Sequence, residues 1–189
     1  MAVFGVYGKI AAQGDFIRRS APQSFVGPWD RWLQAALLAG RAACGARWDG
    51  VYLSAPAWRF TLAPGLAGPE AILGVVMPSV DRIGRQFPLT VFTLADADHD
   101  ANAATFAALE EVALDTLSDG ATAQGLYDAL PTLPPPAPPA GGPGSRWSAL
   151  LGDGLHQLSF PGLPSPGDAV ALFAVPQQAN PALAEDPHG

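Results

Sequence analysis

Apolar and polar residues follow different periods in different parts of this chain, and the period identifies the element. Val3 to Tyr7 is a short apolar run ending at Gly8 and reads as a core strand. From Pro28 to Cys44 the residues Trp29, Trp32, Leu33, Ala36, Leu37, Gly40, Ala43 and Cys44 recur three and four apart, the stripe of a helix with one buried face. Gly27 is placed to cap it, Pro28 stands at the first helical position where no amide is needed, and Gly45 ends it. Trp58, Phe60 and Leu62 alternate with Arg59 and Thr61, which predicts a strand with one covered face. Ala71 to Met77 is apolar throughout and Pro88 to Ala95 mostly so, a pattern suited to strands covered on both faces.

The second half is less regular. Asn102 is placed to cap a helix whose Phe106, Leu109, Val112, Ala113 and Leu117 share a face, with Gly120 as terminator. A shorter helix is expected over Thr122 to Leu130. Pro131 to Gly144 holds seven prolines and three glycines in fourteen residues, so neither helix nor ladder survives there. Arg146–Leu151 and Leu155–Phe160 read as a hairpin through Gly152-Asp153-Gly154, and Asp168 to Ala174 as a short helix. Gln13 to Arg19 fits a loop or a helical turn equally well. The expected fold is α/β, a mixed β-sheet flanked by helices on both faces. Residues 1–175 are expected to form one domain, with a Pro/Gly-rich linker or loop at 131–144 inside it and a flexible tail at 176–189.

Composition narrows the function classes. The net charge of −7 hides an asymmetry: residues 1–85 carry nine of the ten basic residues against five acids, and residues 86–189 carry Arg146 against twelve. An acidic total argues against nucleic acid, which needs a basic stripe. The single Cys44 excludes an internal disulfide and suits a reducing compartment. No apolar run is long enough for a secretory leader or a membrane span, so a cytoplasmic location without direct membrane insertion is expected. Asp96-Ala97-Asp98-His99-Asp100 opens like a calcium loop, but Ala101 and Ala107 stand where the turn glycine and the bidentate glutamate belong. Ser79 lacks a nucleophile elbow, and Gly5-x-x-Gly8-Lys9 is too short to cradle phosphate. No cofactor, metal or catalytic residue is expected.

The charged segment Asp81-Arg82-Ile83-Gly84-Arg85, between two core strands, holds the best candidate chemistry. Guanidinium forks bind carboxylate or phosphate bidentately, and a neighbouring carboxylate can orient them. Arg82 and Arg85, joined by Asp15, Arg18, Arg19 and Ser79, could form a partner- or anion-binding surface. Alternatively, Asp81 pairs with an arginine merely to close the turn. A third reading is an enzyme or small-ligand binder with Asp81 as base, which requires a deep pocket lined by Asp15, Ser79, Asp81 and Arg85. Any aromatic anchor on the surface would be Trp48 or Trp147, which lie near breaks in periodicity.

This segment, with Gly5-Val6-Tyr7-Gly8-Lys9, Gly14-Asp15-Phe16-Ile17-Arg18-Arg19, Pro28-Trp29-Asp30-Arg31-Trp32-Leu33 and Pro56-Ala57-Trp58-Arg59-Phe60, resembles the TagF (ImpM) family. The resemblance runs from about Val3 to Leu94. Beyond the proline-rich stretch it thins to Ser145-Arg146-Trp147 and Pro161-Gly162-Leu163-Pro164. It implies a compact α-β-α sandwich and a cytoplasmic accessory protein of bacterial type VI secretion. It also implies post-translational regulation, generally repression, through the apparatus's forkhead-associated scaffold protein. Some relatives fuse this domain to a phosphatase, for which 189 residues leave no room.

Overall fold

Seven strands line up as one sheet, and the computed structural model describes residues 2–174 of the chain. The strands are β1 (Phe4–Gly8), β2 (Ile17–Arg19), β3 (Trp58–Leu62), β4 (Ile72–Met77), β5 (Leu89–Leu94), β6 (Ser145–Leu151) and β7 (Gly154–Phe160). Their order across the sheet is β2-β1-β5-β4-β3-β6-β7. Helices α1 (Gln23–Cys44), α2 (Trp48–Leu53) and α5 (Pro166–Phe173) cover one face, and α3 (Ala103–Asp115) and α4 (Ala123–Ala129) the other. The expected α/β sandwich with helices on both faces is therefore present, and every strand pairing within it is antiparallel. The continuous apolar runs of β4 and β5 follow from covering by helices on both faces, which an antiparallel sheet allows as well as a mixed one.

Each face has its own core. Phe60, Phe92 and Trp147 project toward α1 and meet Phe25, Trp29 and Leu33 there, with Trp29 stacked 4.8 Å from Phe60. Leu73, Val75 and Val91 project the other way onto Phe106 and Leu109 of α3 and Leu126 of α4. Gly74 in β4 leaves room for its cross-strand neighbours: a Cβ there would lie 2.8 Å from the Phe60 ring and 2.9 Å from the Phe92 Cβ.

Helix α1 starts earlier than its punctuation predicts. Its first residue is Gln23, Pro22 takes the cap position, and Pro28 lies inside the helix. An interior proline costs about 3 kcal/mol. The added turn buries Phe25 and Val26, each contributing roughly 1.5–3 kcal/mol, which offsets that cost. Ala43, assigned to the buried stripe, is exposed near the helix end, and so is Leu117, because α3 stops at Asp115. Asn102 does not cap α3 with its side chain. Its amide instead grips the proline-rich segment, accepting from the Ala137 amide at 2.7 Å and donating to the Asp98 and Ala137 carbonyls.

Residues 131–144 are accordingly a surface loop held against the body, with further bonds from the Asp98 amide to the Pro139 carbonyl and from the Gly141 amide to Asp96. The hairpin β6–β7 joins the main sheet through β3. Trp48 and Trp147 are core residues, since α2, which the sequence pattern did not reveal, carries the first inward and β6 the second. Gln13–Arg19 ends in edge strand β2. The expected tail at 176–189 lies outside the described residues. Among the described residues, no helix is long and apolar enough to cross a membrane.

Candidate functional site

The chain leaves β4 at Met77 and returns at Leu89, and the loop between them is built around one carboxylate. Asp81 is 2% exposed. Its Oδ2 accepts from Lys9 Nζ at 2.9 Å and from Arg85 Nε at 2.5 Å. Its Oδ1 accepts from the amides of Ile83 (3.1 Å) and Arg85 (2.9 Å). Burial pushes this carboxyl's pKa up. The bonds from Lys9, from the amide and guanidinium of Arg85 and from the Ile83 amide outweigh that, leaving it well below the usual carboxylate range.

The backbone closes around the same group. The Gly84 amide donates to the Asp81 carbonyl, the Asp81 amide donates to the Arg85 carbonyl, and Val80 pairs with Gln86. Gly84 sits at φ +85°, a conformation that L side chains rarely adopt. Below the loop, the Tyr52 hydroxyl donates to the Ser79 carbonyl (2.8 Å) and accepts from the Ser79 amide (3.0 Å). Beside it, the Arg82 amide donates to the Gln13 carbonyl and Arg85 Nη2 to the Gly14 carbonyl at 2.7 Å. Lys9 Nζ also lies 5.1 Å from the centroid of the Phe16 ring, which packs on Tyr7 and Phe87.

These contacts separate the proposed residues by role. Asp81 and Arg85 are structural partners, although the Arg85 side chain remains more than half exposed. Ser79 is buried and fixed through its backbone. Arg82 is exposed and in no ion pair among the described residues, and beside it Ile83 is 72% exposed. Asp15 is exposed; the block it belongs to meets the loop through the Gly14 carbonyl. Arg18 and Arg19 diverge, because successive strand residues face opposite ways. Arg18 turns to the Ala21 carbonyl and Gln23 near α1, whereas Arg19 lies over the Tyr127 ring of α4 at 5.3 Å. The seven residues therefore do not form one patch.

Lys9, Tyr52 and Ile83 were not among the expected site residues. Lys9 is the only lysine and directly follows β1, a signal that was available. Its contact with Asp81 spans 72 positions and has no local signature. The concavity touching Ser79 is lined by apolar groups such as Leu53, Met77, Pro78, Leu114 and Leu117, and by none of Asp15, Asp81 or Arg85.

The acidic stretch before α3 serves the fold. Asp98 accepts from the amides of Asp100 and Ala101, while Asp98 and Asp100 pair with Arg146. Among the described residues no group of three side chains could hold a metal ion. His99 is buried against Ser148 Oγ at 2.8 Å, and its pKa is pushed down to about 4, mainly by burial, with Arg146 adding to the effect.

The TagF N-terminal domain, described as type VI secretion system-associated, has a family model that matches residues 5–133. This chain belongs to the TagF family. A search of curated proteins finds no match. Among solved structures, the crystal structure of PA0076 from Pseudomonas aeruginosa PAO1 is similar, with 33% identity and a TM-score of 0.80. The match covers 97% of this chain and 100% of that one. Strands β6 and β7 and helix α5, which lie beyond the TagF N-terminal match, thus belong to the fold the two proteins share. The locked loop at Asp81 lies inside the TagF match.

Proposed function

We propose that this TagF protein is a non-enzymatic, cytoplasmic accessory protein that regulates type VI secretion after translation. It acts as a repressor, by binding a component of the apparatus, the forkhead-associated scaffold protein. The observation carrying this reading is the loop built on Asp81: its buried carboxylate is fully engaged, and the side chains it offers outward include the Arg82 guanidinium, part of Arg85, and Ile83. A cation beside an apolar side chain on a rigid loop loses little entropy on docking and suits an acidic or phosphorylated protein surface. Asp81 is a poor general base, because four donors already occupy its oxygens and the residue is buried.

The test is a pull-down of the scaffold by the wild-type protein and by Arg82→Glu and Ile83→Asp variants. Both are expected to lose roughly tenfold or more in affinity at unchanged thermal stability. Arg85→Glu is a poor probe, since it also breaks the Asp81 cluster. Undiminished binding by folded Arg82→Glu and Ile83→Asp proteins removes this loop from the mechanism.

A further inference from the structure

The two edges of the sheet are built differently. Edge strand β2 has three residues, two of them arginines, a short and charged edge that resists pairing with another chain. Edge strand β7 has seven residues, Gly-Leu-His-Gln-Leu-Ser-Phe, with no Lys, Arg, Asp, Glu or Pro. Its register with β6 is continuous from Ser145↔Phe160 to Leu151↔Gly154, without a bulge. Among the described residues, its backbone has no hydrogen bond to anything on the side away from β6. Leu155 is exposed, and so is its cross-strand neighbour Leu150. Among the described residues, the strand has none of the charges, prolines or bulges that blunt an edge.

We infer that β7 is a pairing edge whose occupant is a second copy of this chain, joined antiparallel across a two-fold axis at Gln157. Two observations single out a second copy. In full seven-residue overlap the strand is complementary to itself. Gln157 stands opposite its own counterpart, and a primary amide both donates and accepts. Leu155 stands opposite Ser159, large against small, and Phe160 opposite Gly154, where a ring meets no side chain. Like charges do not face each other anywhere along the strand. In addition, the β2 edge is blocked, so pairing closes at two copies and does not extend into a filament. The overlap is about 23 Å of edge. An interface this narrow gives a dimer whose population depends on concentration. This inference is independent of the loop at Asp81.

Sedimentation velocity over a concentration series tests it, using the full chain. The wild type is expected to move from monomer toward twice the monomer mass, with amide exchange in residues 154–160 slowing as the dimer forms. Gln157 is exposed and its amide donates only one long bond, 3.5 Å, to Asp100 Oδ1, so Gln157→Lys and Gln157→Glu are expected to preserve the fold, checked by circular dichroism. Each variant places like charges across the axis and is expected to stay monomeric alone. An equimolar mixture of the two is expected to restore a heterodimer. A wild type that remains monomeric throughout, a variant that dimerises like the wild type, or a mixture that fails to pair overturns the inference.

Discussion

Asp81 and His99 are both buried and titratable, yet their surroundings act in opposite directions. Asp81 is held charged by Lys9, Arg85 and two amides. Its folded-state pKa is depressed, so its stabilisation is complete above the ordinary carboxylate value and is lost as pH falls through the folded one. An Asp81→Asn variant leaves Lys9 buried without its counter-charge. It is expected to melt several degrees lower at neutral pH and to show a flatter decline in strong acid, measured by urea midpoints over a pH series. His99 is kept neutral by burial. Between 6.5 and about 4 the unfolded chain binds a proton that the folded chain does not. Stability therefore falls as pH drops across that window, by on the order of 3 kcal/mol. In His99→Gln the slope between those two pH values is expected to shrink; an unchanged slope would assign it to other groups.

At the scale of elements, the helix and strand patterns were legible wherever one period governed a whole segment. Trp58, Phe60 and Leu62 alternate because one face of β3 meets α1 and its neighbours, so the burial pattern follows the sequence residue by residue. Punctuation was less dependable. Pro28 reads as a helix start, but Phe25 and Val26 gain more from the core than the missing amide costs. Helix α2 was invisible because its six residues are shorter than two turns. It is held by contacts that no local pattern records, including Gly40 of α1 lying under the Trp48 ring. A Cβ at Gly40 would fall 2.2 Å from that ring. Gly40→Ala is therefore expected to destabilise by about 1–3 kcal/mol, although alanine is the better helix former. A chemical-denaturation midpoint equal to or above wild type would contradict this packing.

For the whole molecule, the decisive feature is that the last third of the described chain completes a sheet begun by the first. Trp147 of β6, 1% exposed, packs on Phe60 and Trp29, and the Trp58 indole donates to the Leu172 carbonyl of α5 at 2.7 Å. A fragment ending at residue 133, the limit of the TagF N-terminal match, leaves the β3 edge open and these rings uncovered. Such a fragment is expected to show no cooperative transition in scanning calorimetry, and a sharp transition would refute the dependence. The amino-acid sequence by itself determined the layered α/β class, four of the five strands between Val3 and Ala95, the proline-rich break and, through its ordered blocks, the family. Each of these rests on local period, on turn chemistry or on residue order. Only the tertiary structure decided that Lys9 reaches Asp81 across 72 positions, that Arg18 and Arg19 part to opposite faces, and that Arg82 and Ile83 remain outside. Pairing between distant side chains is set by sheet order and strand facing, and both emerge only when all the layers are packed together.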